Sequence, residues 1–183
     1  QLMIREVLEF YSSALAGAQP RLEPLAVTFG SEAERMRQQL VSAETYDRVS
    51  YWRSKLEGAP TLDLPLDRAR SLERRYAGAI LPFRLSCCTQ AKLDALALRH
   101  QATRFHILAS AFSVLLHRCT GQEDFCIGTN IAGRDTADSE SLVGLFTNAV
   151  PLRITIERSA SFTTLLGQVQ RALLEAQERQ LPF

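Results

Sequence analysis

Apolar residues recur at helical spacing near the start of the chain, where Ile4, Val7, Leu8, Tyr11 and Leu15 share a face and Gly17 follows as a stop. A first helix is predicted there. Residues 18–29 carry Pro20 and Pro24, with Gly30 just beyond, and show no sustained period, so they read as a linker. Glu32–Leu40 and Thr45–Leu56 read as helices, the second with Val49, Trp52 and Leu56 on one face and ended by Gly58 and Pro60. A loop follows from Ala59 to about Tyr76. The period changes to two over Ala79–Leu85, with Leu81, Phe83 and Leu85 on one side, which predicts a strand. Pro82 places that strand at an edge or marks its start.

Two helices come next. Thr89 to about Gln101 is modestly amphipathic. In the following one, Phe105, Leu108, Phe112, Leu115 and Cys119 repeat every three or four residues, and Ile107, Ala111, Val114 and Leu116 widen the stripe. That width predicts a largely buried helix. Phe125–Ile131 is a short apolar strand, residues 132–142 are expected to be a loop, and Asn148–Ile156 is a second strand with Val150, Leu152, Ile154 and Ile156 facing one way. Phe162, Leu165, Leu166, Val169, Ala172, Leu173 and Ala176 mark a last, long helix with Ser161 as its N-cap. Helices mixed with strands make the class α/β or α+β.

Composition narrows the function. A chain of 183 residues, 46% hydrophobic and 22% charged, suits one folded domain or a piece of one, and it excludes disorder as the dominant state. Lys and Arg number 21 against 20 Asp and Glu, a net charge of +1 with no block of like charges, so no nucleic-acid or membrane-surface partner is indicated. No apolar run reaches the ~18–20 residues that cross a bilayer, and the start lacks the features of a signal peptide. Cys87, Cys88, Cys119 and Cys126 lack Cys-x-x-Cys spacing, which suits neither a zinc knuckle nor a disulfide scaffold. Reduced thiols and a cytoplasmic location are expected. Gln1 lies inside a predicted helix and Phe183 just after another, so an interior excerpt of a longer polypeptide is expected.

The residues that could carry chemistry are few. If His106 and His117 share a helix they stand about 16 Å apart, too far to bind one metal, and His100 is isolated from both. Gly128-Thr129-Asn130-Ile131-Ala132-Gly133-Arg134 spaces its glycines like a phosphate loop, but Arg134-Asp135 replaces the Lys and hydroxyl that would hold phosphate and magnesium. Asp135, Asp138 and Glu140 read as a solvated loop rather than a metal site. No metal is expected. These physical rules alone disclose no reaction.

Longer passages do. Tyr51-Trp52-Arg53-Ser54-Lys55-Leu56-Glu57-Gly58-Ala59-Pro60, followed by Leu64-Pro65-Leu66-Asp67-Arg68-Ala69-Arg70, resembles the YW-x-x-x-L-x-G-A-P … LP-x-D-R-x-R passage of nonribosomal peptide synthetase condensation domains. Leu115–Asp124, Ile127-Gly128-Thr129, Ala132-Gly133-Arg134 and Val143-Gly144-Leu145-Phe146-Thr147-Asn148 with Leu152-Arg153 are similar to the same family in order and spacing. The resemblance runs over nearly the whole chain and is weakest before Leu40.

The resemblance implies a chloramphenicol-acetyltransferase-like two-layer sandwich, with residues 1–28 closing an N-terminal lobe and residues 29–183 forming a truncated C-terminal lobe. It also implies peptide-bond formation. Donor and acceptor carrier proteins would bring substrates on phosphopantetheine arms, and no cofactor would bind the chain directly. The remainder of the condensation domain and a neighbouring adenylation domain are the other implied partners. Asn148 matches the asparagine of the family's VG-x-FVN motif and, with Phe146 and Gly144, is expected at the groove; Gly133 and Arg134 are expected in the segment that crosses between lobes, and Arg153 at the lobe junction. The family's catalytic histidine lies in an HH-x-x-x-DG motif that none of the 183 residues forms. It is expected upstream of Gln1. Two passages depart from the family: Phe29-Gly30-Ser31-Glu32-Ala33-Glu34-Arg35 replaces Y-x-D-x-AVW, and Glu178-Arg179-Gln180 replaces His-Gln-Asp before Leu181-Pro182-Phe183. A silent scaffold of the same fold, or an epimerising relative, is the alternative.

Overall fold

A computed structural model describes residues 2–69, 73, 78–134 and 136–181. Its elements run α1 (Leu2–Leu15), α2 (Phe29–Gln39), α3 (Ala43–Leu56), α4 (Cys87–Arg99), α5 (Arg104–Thr120), β1 (Asp124–Ile131), α6 (Ala137–Glu140), β2 (Asn148–Thr155) and α7 (Phe162–Glu178). Contacts divide the chain into two units, and the order of the chain does not follow them. The first is Gln1–Lys55, Thr129–Val150 and Arg179–Phe183; the second is Leu56–Gly128 and Pro151–Glu178. β1 and β2 pair in one antiparallel sheet, and each strand contributes residues to both units. Among the described residues no helix is long and apolar enough to cross a membrane.

The second unit is built by helix packing. α5 lies against α4 and α7, and Ala97, Ile107 and Leu166 are buried together with Leu93, Leu96 and Ala102 around them. A fully buried Leu or Ile of this kind contributes about 1.5–3 kcal/mol. α7 buries Leu165, Leu166, Val169, Leu173 and Ala176, the stripe its sequence predicts, and Ser161 Oγ accepts the Thr164 N–H as its cap. Ser110 and Ser113 of α5 are fully buried. Their hydroxyls fold back to donate to the carbonyls of His106 and Ala109 at 2.7 and 2.8 Å, which satisfies them internally and leaves short side chains at the packed face.

Here the expected burial of α5 needs correction. Ile107 and Leu116 are buried, but Phe105, Leu108, Phe112 and Leu115 are 43–55% exposed, and Cys119 is exposed with them. Periodicity finds the apolar stripe; the buried face is the one carrying the two serines. α1 likewise forms as a helix, yet Ile4, Val7, Leu8, Tyr11 and Leu15 are all exposed.

The strand expected over Ala79–Leu85 is absent. Ile80, Leu81 and Phe83 stand 82–94% exposed in irregular backbone, since a strand exists only where another chain segment takes its hydrogen bonds and none of the described residues does so. The loop expected at residues 132–142 holds one turn of helix, α6, capped by Thr136, whose Oγ1 accepts the Ser139 N–H. β1, β2 and the other helices lie within a few residues of their expected bounds. Tyr76, Asp135 and the Pro182-Phe183 end of the last motif lie outside the described residues.

The start of α5 is sensitive to pH. Thr103 Oγ1 accepts the His106 N–H, and His106 Nδ1 accepts the Thr103 N–H at 3.1 Å, a reciprocal cap that only the neutral ring can complete. Burial pushes the His106 ring below its ordinary value near 6.5. The unfolded chain therefore takes up the proton more readily than the folded one, so the stabilisation is present above pH 6.5 and is lost as pH falls from there through the folded value. His106→Gln, which keeps an acceptor at that position, is expected to remove the acid-side loss of about 1 kcal/mol. Thermal unfolding of both chains across that range is the check, and parallel curves would refute the assignment.

Candidate functional site

In the first unit, three consecutive carbonyls after α7 each receive a side-chain donor. Trp52 Nε1 donates to Arg179 O at 2.7 Å, Arg48 Nη1 to Gln180 O at 2.7 Å, and Asn148 Nδ2 to Leu181 O at 2.5 Å. α3 supplies the first two donors because residues 48 and 52 are four apart and share a helix face. Asn148 opens β2 and is 7% exposed. Residues 179–181 are each half-buried, and these three donors hold them in one path. The Arg179 guanidinium also lies over the Tyr51 ring, 4.5 Å from its centroid.

The turn after β1 sets the opposite wall. Gly133 adopts φ +60°, and a Cβ there would lie 2.0 Å from the Phe146 carbonyl oxygen, so the two backbone stretches meet as closely as a residue without a side chain permits. Arg134 then stacks over Phe146, with its guanidinium carbon 4.3 Å from the ring centroid. Its Nη1 donates to the carbonyls of Ser139 and of Leu142, the latter at 3.1 Å, which gathers the loop around α6. Phe146 is buried edge-on against Phe29 with centroids 5.4 Å apart. Gly144 is small for the same reason: a Cβ there would come within 2.2 Å of the Phe29 ring.

A pocket of about 290 Å³ opens between these pieces, floored by Phe29, Met36, Leu40 and Phe146 and edged by Arg37, Arg48, Asn148 and Gln180. Of the expected groove residues, Asn148 and Phe146 line it and Gly144 shapes it through Phe29; Gly133, expected in the segment that crosses between lobes, also lines it. Arg134 braces the wall from behind Phe146. Arg153 stands elsewhere. Its Nε and Nη2 donate to the two carboxylate oxygens of Asp124 at 3.0 and 2.6 Å and its Nη1 to Glu57 O at 2.8 Å, all in the second unit. That pairing holds the Asp124 carboxyl below the usual carboxylate range.

Chemically the pocket offers hydrogen-bonding groups around an apolar floor. No described lining residue is a His, Cys, Asp or Glu. The three histidines lie in the second unit, with His117 Nδ1 against Gln122 O at 2.8 Å. All four cysteines are free, and burial pushes the Cys126 thiol up, away from the thiolate. No group of His, Cys, Asp and Glu able to hold a metal occurs among the described residues.

Sequence reasoning missed Arg37, Met36 and Arg48, which belong to no quoted motif. Phe29 and Gln180 were visible only as departures from the family passages.

Gly133→Ala is expected to destabilise the chain by about 2 kcal/mol or more, through the positive φ and the collision with the Phe146 carbonyl. Gly128→Ala, with open space around the added methyl, should stay within about 0.5 kcal/mol. Denaturant unfolding of the two variants tests this, and equal stabilities would contradict the geometry.

Comparison with known proteins supports the same assignment. The Condensation domain family matches residues 1–183. The chain is 36% identical to phosphinothricin tripeptide synthetase PhsB of Streptomyces viridochromogenes, covering 100% of this chain and 15% of the synthetase. Among solved structures, the X-domain from teicoplanin biosynthesis superimposes with a TM-score of 0.86 at 27% identity, over 100% of this chain and 42% of that one. The first condensation domain of the CDA synthetase shares the fold at TM-score 0.80 and 20% identity, over 97% of this chain and 40% of that one. The chain thus spans a small part of the synthetase and about two-fifths of each solved chain, and its α/β fold is the chloramphenicol-acetyltransferase-like one of these structures. Matched from residue 1 to residue 183, it belongs to the Condensation domain family.

Proposed function

We propose that these residues form part of a nonribosomal peptide synthetase condensation domain, an acyltransferase that joins a donor acyl or peptidyl thioester to an acceptor aminoacyl thioester. The acceptor amine attacks the donor thioester carbon, the amide C–N bond forms, the C–S bond breaks, and the proton lost by the amine ends on the donor arm's sulfur, which leaves as a free thiol. Such a step needs the two thioesters held at attack distance, a base for that proton and donors for the developing oxyanion. The observation that carries the reading is the placement of Asn148 and Phe146, from the family's VG-x-FVN passage, on the wall of one pocket.

In this reading the pocket positions, and the base is the histidine of an HH-x-x-x-DG motif in polypeptide outside these residues. Donor and acceptor carrier proteins deliver the substrates on phosphopantetheine arms, an adenylation domain neighbours the site, and the reaction takes place in the cytoplasm. Glu178-Arg179-Gln180 in place of His-Gln-Asp favours a second reading, a silent or partner-recruiting member of the family. An epimerising relative would differ in the stereochemistry of its product.

The test loads cognate donor and acceptor carrier proteins, adds the complete domain and measures dipeptidyl thioester by mass spectrometry. Product is expected, and a complete domain that makes none would establish the silent reading. Asn148→Ala, which strips Leu181 O of its donor, should lower the rate about ten- to a hundredfold by loosening the wall. Residues 1–183 alone should make no product, and turnover by them would overturn the assignment of the base.

A further inference from the structure

The charge around the pocket is one-sided. Arg37 and Arg48 edge it, no carboxylate is among its described lining residues, and its floor of Phe29, Met36, Leu40 and Phe146 is apolar. Both arginines do have acidic partners, Glu34 at 3.0 Å and Glu44 at 2.5 Å, but these are pairs within one helix, three and four residues apart. The two glutamates are 53% and 71% exposed and do not line the pocket. Such solvent-facing pairs are worth about 0.3–0.5 kcal/mol, and a guanidinium with five N–H donors can serve a second oxyanion beside the first. Asn148 and Gln180 add amide edges. At about 290 Å³ the space lies at the small end of small-molecule sites.

We propose that this pocket selects a substrate acyl group with an apolar body and a terminal carboxylate, which the Arg37 and Arg48 edge receives while the body lies on the Phe29, Met36 and Phe146 floor. The proposal deepens the condensation reading and rests on it for naming the ligand a substrate group. A carboxylate needs both features at once. The cationic edge supplies charge-assisted hydrogen bonds, and the apolar floor takes the body. A neutral isostere keeps the floor contacts and loses the edge, so the pair of ligands isolates the contribution of the charge.

The experiment uses 3-phenylpropanoate and its neutral isostere 3-phenylpropanamide as probes, read by the fluorescence of Trp52. Trp52 is the single tryptophan of the chain and is bonded to the carbonyl next to Gln180. The acid should bind at least about tenfold more tightly than the amide. Arg37→Gln, whose acidic partner is the exposed Glu34 on its own helix, should shrink that ratio with the fold intact by circular dichroism, and adding Arg48→Gln, which also frees Gln180 O, should bring it near one while affinity for the amide stays unchanged. Equal affinity for acid and amide overturns the proposal, as does a ratio that survives both substitutions or absence of acid binding up to about 10 mM. Phosphopantetheine and pantetheine form the second arm: if phosphate gains affinity while the carboxylate does not, the cationic edge serves the carrier arm and the proposal fails. None of these readouts needs turnover, so failure here leaves peptide-bond formation standing, and failure of turnover leaves the binding result standing.

Discussion

The first unit depends on the gripping of three successive carbonyls, Arg179 O, Gln180 O and Leu181 O, by Trp52, Arg48 and Asn148. Backbone that leaves a helix has no ladder of its own, so its carbonyls must find donors elsewhere. Here the donors come from α3 and the first residue of β2, more than 30 residues away in either case. The same three bonds seat the C-terminal segment and orient the pocket's amide edge. All three contacts run through backbone oxygens, which every residue carries, so they do not depend on the side chains of Arg179, Gln180 and Leu181.

Across the pocket, a different economy of space operates. Gly133 and Gly144 remove the Cβ atoms that would strike the Phe146 carbonyl and the Phe29 ring, and this lets an aromatic pair close the wall. Arg134 covers the far side of Phe146 and ties the α6 loop to it. The wall is therefore closely packed and apolar, with a polar rim.

Much of the helical architecture could be read in advance because its cues are local. α7 shows its stripe and its Ser161 cap, Gly17 and Gly58 take the positive φ that their positions after helices demand, and β2 alternates as its buried residues require. The misreadings share one cause. Phe105, Leu108, Phe112 and Leu115, like the alternating Leu81 and Phe83, identify surfaces that favour burial, and local pattern carries no information about what segment will cover them. The site divides similarly. Asn148, Phe146 and Gly144 could be named because a motif contains them, whereas Arg48 and Met36 sit in unremarkable helical sequence and reach the pocket only through packing.

By itself, then, the order of residues determined most of the helices, the two paired strands and the family passages, since each depends on neighbours close along the chain. Tertiary structure alone decided that Arg153 pairs with Asp124 in the second unit, that α5 buries its serine face, and that Arg37, Arg48 and Asn148 edge one cavity. These are contacts between side chains tens of residues apart. Their partners are chosen by how helices and strands stack in space, where distance along the chain no longer counts.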